Sequence, residues 1–289
     1  MNPEYQRILT VLNQQRGIDF SGYRPGMIER RIRLRMQTVG RTEPGAYHAM
    51  LGDNPGELDK LLDCLTIKVS RFFRNPLVFE YLARHVLPCL VQGKKQGKDR
   101  SIRLWSAGCS LGEEAYSLAI VMRELQRQEK LPESPVIFGT DIDASALQQA
   151  GKGLYAAESL QEVKLGLLKR YFDPVEAQKP ETLVGPDAAR FRISPEIREL
   201  VFFSQYDILS PGTWAPPESV YGGFDLICCR NVLIYFEAEQ QQRVFDKLYQ
   251  ALIPGGFLVL GESEAPPREY EDRFIRHTDS CRIYRKRCL

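Results

Sequence analysis

Histidine is scarce in this chain of 289 residues, which contains only three. The seven cysteines include no Cys-x-x-Cys pair, so no metal site is expected. Their odd number argues against a disulfide framework and favours small core residues in a reducing compartment. No apolar run approaches the roughly 18 residues that a membrane span needs. We therefore expect a cytoplasmic protein that neither inserts into a membrane nor holds a metal.

A strong excess of one charge is also missing. The chain has 39 basic and 37 acidic residues, a net charge of +2, so any site for an acidic partner must come from local clustering. With 43% hydrophobic and 26% charged residues, the composition is that of a soluble globular protein. The length fits two domains.

Apolar residues recur at helical spacing through residues 1–85. One stripe comprises Tyr5, Ile8, Leu9 and Leu12, and a second comprises Ile28, Ile32, Met36 and Val39. No alternation of period two occurs there, so an all-helical N-terminal domain is predicted over 1–85. The stretch "VQGKKQGKDR" (91–100) is rich in glycine and lysine, which favours a linker over 86–100.

Strand patterns alternate with helix patterns over residues 101–289. This order predicts an α/β domain with a mostly parallel sheet and helices on both of its faces. Residues of about 171–206 break the rhythm with prolines and short β-like runs such as "TLV", "RFRI" and "LVFFSQY". A small antiparallel β insert is predicted there.

The turn after the first strand, "SAGCSLGEE", resembles a nucleotide-binding turn but carries no lysine. Glu113 and Glu114 stand where a phosphate would otherwise bind, so they disfavour a pyrophosphate ligand. Asp141 ends the next strand and can accept hydrogen bonds from ribose hydroxyls, and Asp207 ends another. S-adenosylmethionine, a nucleoside with a cationic sulfonium group, is a ligand that suits all of these acids. The alternative is that each acid merely caps a helix.

Two further segments carry polar side chains at predicted strand ends or domain junctions. "CRNVLIYF" places Arg230, Asn231 and Tyr235 after a buried strand, where a transferred group would lie. The alternative there is an asparagine cap and a core tyrosine. "TIKVSRFFRNP" holds Arg71 and Arg74, and an arginine could bind a carboxylate of the cofactor through two hydrogen bonds. Taken alone, that segment also fits an interdomain helix cap.

A basic helix lies near the N-terminus. Residues 24–41 contain six arginines and one acid. With the apolar stripe turned inward, Arg30, Arg31, Arg33 and Arg35 are predicted to project from the other faces. Such a surface would attract an acidic helix or a phosphate backbone, although a solvated face explains it too.

Together these motifs resemble the chemotaxis receptor methyltransferase family, CheR. The resemblance covers nearly the whole chain and is most specific in "CSLGEEAYS" and "RNVLIYF". It implies a helical N-terminal domain and an S-adenosylmethionine-binding, Rossmann-like α/β domain with a β insert. The activity it implies is methyl esterification of glutamates on chemoreceptor cytoplasmic helices, with S-adenosylhomocysteine as product. The cofactor contacts it implies are Lys68, Ser70, Arg74, Glu114, Asp141, Asp207, Ile208, Arg230 and Asn231.

The resemblance also implies roles for other residues. Tyr235 resembles the tyrosine near the methyl-transfer point, and the helix around Arg30–Arg35 resembles a receptor-docking surface. Lys68 and Ser70 stand where the family often has Asn and Thr, while Leu111 and Ala115 replace a usual Thr and Pro. The β insert does not match the form associated with docking to a receptor C-terminal pentapeptide.

A glutamate carboxylate is already a nucleophile at neutral pH, so this chemistry needs no general base. We expect Arg230 and Tyr235 to orient the incoming carboxylate, with the cytoplasmic domain of a methyl-accepting chemotaxis receptor as the partner of a monomeric enzyme. No nucleic acid is expected. Two alternatives remain at this point, an RNA methyltransferase suggested by the arginine helix and a non-catalytic module that senses S-adenosylmethionine.

Overall fold

Four helices that each begin at a proline form the N-terminal part of the chain. The computed structural model describes residues 1–96, 101–128, 134–175, 190–219 and 223–288. The four helices are α1 (Pro3–Arg16), α2 (Pro25–Thr38), α3 (Pro44–Asp53) and α4 (Pro55–Leu65). Proline suits the first helical position because its missing N–H would lack a helical partner anyway. Asn2 and Asn54 cap α1 and α4 by accepting hydrogen bonds from backbone N–H groups.

The predicted apolar stripes form the core of this helical part. Tyr5, Ile8, Leu9 and Leu12 of α1 are buried, as are Ile28, Ile32 and Met36 of α2. Val39 is only partly buried, because α2 ends at the residue before it. The helical periodicity is therefore confirmed over these two helices.

Arg35 turns toward α4 rather than toward solvent, which corrects the expectation that it projects outward. Its Nε and Nη2 donate to the two carboxylate oxygens of Glu57 at 2.8 and 2.6 Å. The Tyr47 hydroxyl donates to the same carboxylate at 2.9 Å. Despite burial, these hydrogen bonds hold the pKa of Glu57 below its usual value. The helical pattern of α2 alone cannot reveal an acidic partner on another helix.

A helix with one π turn follows over residues 76–96. It comprises α5 (Pro76–Tyr81), the π turn Leu82–Val86 and α6 (Leu87–Gln96). The linker expected over 86–100 is thus helical as far as residue 96. Leu87, Leu90 and Val91 are buried there, and this apolar face outweighs the local glycine and lysine signal. Its buried side chains share a core with the α/β part, not with α1–α4.

A seven-stranded sheet forms the centre of the α/β part. Its strands are β1 (Arg103–Ala107), β2 (Val136–Asp141), β6 (Val201–Gln205), β7 (Phe224–Cys229), β8 (Leu252–Leu260), β9 (Phe274–Arg276) and β10 (Ile283–Lys286). The order is β6-β2-β1-β7-β8-β10-β9, and the pairs among the first five strands are parallel. The antiparallel β9 and β10 close one edge. The predicted α/β class is confirmed.

Helices cover both faces of this sheet. The longer ones are α7 (Glu113–Gln128), α8 (Ala144–Lys152) and α11 (Ala238–Ala251). Buried residues of α11 and α1–α4 belong to one core with Trp105, Phe138 and Phe224, whereas α7 packs with Leu104, Ile137 and Leu226 of the other face. In the described part of the chain, no helix combines the length and the apolar character needed to cross a membrane.

A three-stranded antiparallel sheet stands apart, in the order β3-β5-β4. It comprises β3 (Leu154–Ala156), β4 (Phe172–Val175) and β5 (Arg190–Ile193), and α9 (Leu165–Tyr171) and α10 (Pro195–Arg198) flank it. The insert predicted over 171–206 was too long at its C-terminal end, because β6 pairs in parallel with β2. Its start was also too late, since β3 precedes it. The predicted "TLV" run (182–184) lies outside the described residues.

Short 3-10 turns complete the structure at Ala157–Leu160, Pro217–Ser219, Leu233–Tyr235 and Arg268–Arg273. The turn Leu233–Tyr235 follows β7 and carries the predicted tyrosine toward the N-terminal helices. A bridge between Tyr23 and Phe236 joins the two parts of the chain there, and the Arg24 N–H donates to the Tyr235 carbonyl at 2.9 Å.

Replacing Arg35 with Met should lower the free energy of unfolding by about 3–5 kcal/mol, because it leaves the Glu57 carboxylate buried without its cation. The Arg35 and Glu57 side chains are 16% and 5% exposed. Urea denaturation measures the change. Arg16→Met is the control, since Arg16 pairs with an Asp59 side chain that is 63% exposed and should lose no more than about 1 kcal/mol. Equal losses in the two variants would contradict this account.

Candidate active site

One cavity lies at the carboxyl ends of β1, β2 and β7, where a parallel sheet presents ligands. The space between its lining residues measures about 1150 Å³ when the adjoining open solvent is included. All of the predicted cofactor and catalytic residues line it, namely Lys68, Ser70, Arg74, Glu114, Asp141, Asp207, Ile208, Arg230, Asn231 and Tyr235. Side chains separated by up to 167 positions in the sequence are therefore brought together around one space.

The first turn is built by residues with left-handed backbone. Gly108 and Ser110 have φ values of 72° and 52°. The N–H groups of Gly108 and Cys109 donate to the Thr140 carbonyl at 2.8 and 2.9 Å, which joins the turn to the end of β2. A Cβ on Gly108 would lie 2.5 Å from a methyl of Val232, so both the backbone and the neighbouring loop require glycine.

Asp141 is held in place at the end of β2. Its two carboxylate oxygens accept from the N–H groups of Ser110 at 2.8 Å and Asp143 at 3.0 Å. Burial raises its pKa, and these N–H donors oppose the rise. Each oxygen keeps a further lone pair for ligand hydroxyls. The neighbouring Ser110 hydroxyl is buried and has no hydrogen-bond partner among the described residues. A bound ligand could form a hydrogen bond with it.

Glu114 and Arg230 form a nearly buried ion pair in the site. Arg230 Nη1 donates to Glu114 Oε2 at 3.0 Å, and the Ser106 hydroxyl donates to Glu114 Oε1 at 2.7 Å. Arg230 Nη2 donates to the Arg74 carbonyl at 2.9 Å and to Asn75 Oδ1 at 2.7 Å. Because three protein acceptors engage this guanidinium, its contacts favour a positioning role over the expected orientation of an incoming carboxylate.

Asn231 depends on an acid that the sequence analysis missed. Its backbone has a φ of 59°, and its N–H donates to Glu264 at 2.9 Å. The Gly261 N–H donates to the same carboxylate oxygen at 2.6 Å. Glu264 is only 4% exposed, and its hydrogen bonds join the second residue after β7 to the first residue after β8. The motif "LGESE" at the end of β8 was the available signal.

Lys68 has partners of its own. Its ammonium lies 2.9 Å from Asp143 and 2.7 Å from Asp63. Asp143 caps α8 by accepting from the Ala146 N–H at 3.0 Å, and the Thr66 hydroxyl donates to its other oxygen at 2.8 Å. The lysine therefore links the segment after α4 to α8, and its charge is neutralised by protein groups although it lines the cavity.

Part of the cavity lining comes from the start of α2 and the segment that precedes it. Phe20, Tyr23 and Met27 line it together with Asp207 and Ile208. Asp207 accepts from the Leu209 N–H at 2.8 Å, and burial raises its pKa. Sequence reasoning missed the three N-terminal residues, because only the long-range contact between Tyr23 and Phe236 places them there.

Tyr235 lies half-buried where the N-terminal helices meet the sheet. Burial raises the pKa of its phenol, and the positive charges of Arg31 and Arg74 oppose the rise. Arg31 Nη1 donates to the Cys64 carbonyl at 2.7 Å, so Arg31 faces α4 and the site instead of projecting into solvent as expected. Arg30 and Arg33 are exposed, and none of the four predicted docking arginines lines the cavity.

The cavity is lined by side chains of both charges. Glu114, Asp141 and Asp207 line it together with Arg74, whose charge also acts on Tyr235. Such a cavity suits a ligand with a cationic centre and hydroxyl groups, while the arginines favour a carboxylate. These properties fit S-adenosylmethionine. The fold and the site thus define an S-adenosylmethionine-dependent methyltransferase of the Rossmann-like class.

Comparison with known families agrees with this class. A model of the "CheR methyltransferase, SAM binding domain" matches residues 68–281, and a model of the "CheR methyltransferase, all-alpha domain" matches residues 3–66. The chain belongs to the CheR methyltransferase family. The two matches meet immediately after α4.

Individual relatives match most of the chain. The chemotaxis protein methyltransferase of Escherichia coli is 30% identical over 90% of this chain and 83% of its own length. The putative methyltransferase Cher3 of Pseudomonas putida is 30% identical over 98% and 96%. An uncharacterized 104.1 kDa protein of Rhodobacter capsulatus is 33% identical over 92% of this chain, which spans only 26% of that protein.

Replacing Arg230 with Ala should weaken binding of S-adenosylhomocysteine about tenfold or more, because Glu114 and the loop around Asn75 lose a charged donor. Arg230→Lys keeps the charge without the forked geometry and should fall between Ala and wild type. Isothermal titration calorimetry measures the affinities.

The control is Arg243→Ala, because Arg243 is exposed and pairs with an exposed neighbour on α11. Circular dichroism checks that each variant is folded. Wild-type affinity in a folded Arg230→Ala protein would contradict the positioning role.

Proposed function

We propose that this protein methylates glutamate side chains on the cytoplasmic helices of a chemotaxis receptor. The observation that carries the proposal is that Tyr235 lines the cavity and lies beside the charges of Arg31 and Arg74. That arrangement attracts a carboxylate to the edge of a cofactor site. The name of the Escherichia coli relative supports the chemotaxis context.

The chain's residues need only position the acceptor. A glutamate with its ordinary pKa of about 4.3 is ionised at neutral pH, so no base has to remove a proton. None of the three histidines lines the cavity. When bound, S-adenosylmethionine would supply an electrophilic methyl group; the bond from methyl to sulfur would be replaced by one to the carboxylate oxygen, with S-adenosylhomocysteine as the leaving group. Alignment of the acceptor accounts for a large share of such a rate enhancement.

Different residues serve the two halves of the site. Glu114, Asp141 and Asp207 would hold the cofactor, and Arg230 would position Glu114 through their ion pair. Tyr235 would face the acceptor carboxylate, and Arg74 would bind the carboxylate of the cofactor. Arg30 and Arg33 remain as the exposed docking arginines, whereas the contacts of Arg31 and Arg35 turn both toward α4.

The RNA methyltransferase alternative loses support from the same contacts. Two of the four arginines that suggested it are engaged by the protein, so the basic surface on α2 is smaller than its sequence indicated. The sensing alternative predicts cofactor binding without a methylated product, and the first experiment below separates it.

Labelled methyl from S-adenosylmethionine should be transferred to the cytoplasmic domain of a cognate receptor and then released as methanol by mild alkali. A carboxyl methyl ester is base-labile, whereas methylated nitrogen is not. Tyr235→Phe should reduce the transfer rate about tenfold or more with unchanged affinity for S-adenosylhomocysteine. Label stable to alkali would refute the ester, and cofactor binding without any labelled product would favour the sensing module.

Arg30→Ala and Arg33→Ala should each raise KM for the receptor domain about three- to tenfold with little change in kcat, because both arginines steer an acidic partner without touching the reacting atoms. The KM of the wild type should rise with salt. Arg41→Ala, which removes another exposed arginine beyond the end of α2, is the matched control. A fall in kcat at constant KM would place these arginines in the reaction itself.

A further inference from the structure

Glu113 is the acid of the first turn that the proposed function does not use. It begins α7, is fully buried and does not line the cavity. Neither of its carboxylate oxygens has a hydrogen-bond partner of good geometry. Burying a carboxylate without partners is costly, and the dipole at the start of α7 offsets only part of that cost. A leucine or glutamine would fill the same space at lower cost, so packing alone does not explain an acid there.

The polar side chain that approaches Glu113 is Ser70. Its hydroxyl acts on the pKa of Glu113, although the two groups do not complete a hydrogen bond of good geometry. Ser70 also lines the cavity. One hydroxyl is therefore shared between a buried acid on one side and the ligand space on the other.

The rest of this loop is already fixed to the same helix turn. The Phe73 N–H donates to the Ser117 hydroxyl at 2.9 Å, and that hydroxyl donates to the Glu113 carbonyl at 2.6 Å. Phe73 and Asn75 both have left-handed backbone, with φ values of 55° and 62°. Arg230 holds the loop at Asn75. Ser70 lies before this fixed part, beside Val69, whose side chain is 72% exposed.

We propose that Glu113 is a positioning residue for cofactor binding. Its carboxylate accepts a hydrogen bond from the Ser70 hydroxyl, and this turns the lone pairs of the Ser70 oxygen toward the cationic ligand. Ser70 then adds an acceptor to the acid-lined cavity without adding charge. This inference rests on the proposed assignment of Ser70 to the cofactor site. It does not depend on which acceptor is methylated.

The ionisation state of Glu113 governs this arrangement. Burial raises its pKa to about 7, and its own backbone N–H and the Ser70 hydroxyl oppose the rise. Above that pH the carboxylate accepts from Ser70; below it, the acid donates and turns the Ser70 O–H toward the cavity. The other titratable groups that act on this position, the Cys109 thiol and the Tyr155 phenol, have pKa values raised by burial and stay neutral. The neighbouring Glu114 is paired with Arg230.

Calorimetric titration of the full chain with S-adenosylmethionine, whose sulfonium carries the positive charge, between pH 6 and pH 8 tests the proposal. Wild-type affinity should rise by about fivefold over this range, because ligand binding favours ionised Glu113. Glu113→Gln should lose most of that dependence and bind about five- to tenfold more weakly at pH 8. Asp141 and Asp207 also have raised pKa values, but both remain in the variant, so the difference between the two profiles reports Glu113.

Serine variants separate positioning from packing. Ser70→Ala should weaken binding as Glu113→Gln does, and the double variant should be no weaker than the weaker single variant, because both changes remove one interaction. Ser70→Thr keeps the hydroxyl and should bind like the wild type. Glu124→Gln makes the same substitution further along α7, where the acid pairs with Arg170, and should leave the pH profile unchanged.

Additive effects in the double variant, or an unaltered pH profile in Glu113→Gln, would overturn the proposal. If Glu113→Gln fails to fold, wild-type binding by Ser70→Ala, or a pH profile that Ser70→Ala leaves unaltered, would overturn it in the same way. A failure to detect any methyl ester would refute the proposed function and leave this binding experiment intact.

Discussion

The ion pair between Arg230 and Glu114 is the contact on which the rest of the site depends. It joins the end of β7 to the first turn of α7, and its guanidinium also holds the loop that carries Arg74 and Asn75. The pair is nearly buried, with side chains 4% and 14% exposed. In such surroundings, removal of one partner leaves the other charge uncompensated. Three segments that contribute to the cavity are therefore fixed by one contact.

The N-terminal helices complete the site rather than merely adjoining it. Phe20 and Tyr23 cover the end of the cavity near Asp207, and the bridge from Tyr23 to Phe236 fixes the turn that carries Tyr235. The proposed acceptor side of the site is thus at the junction of the two parts of the chain. Docking of a partner on α2 would occur beside the reacting groups, because Met27 of the same helix lines the cavity.

Local pattern predicted much of this arrangement. The strand, the glycine turn and the acidic helix start predicted that Glu114 lines the site. Polar residues at the other strand ends were predicted to line it too, because side chains at the carboxyl ends of parallel strands converge. The local pattern could not predict which distant residues and strands pair with each other. The partner of Arg35 lies on α4, and the place of β6 depends on pairing with β2. The roles of Glu264 and Lys68 depend on which groups the fold brings within hydrogen-bond reach.

The proposed carboxylate acceptor rests on the charges of Arg31 and Arg74 near Tyr235, at a cavity that Glu114 and Asp141 help to line. The most direct test is tandem mass spectrometry of a receptor domain after reaction, compared with the same domain carrying Gln at the modified positions. The account predicts one methyl group on glutamate side chains and none on the Gln substitutes. Methylation that persists on the substituted domain, or that maps to lysine or another nitrogen, would contradict it.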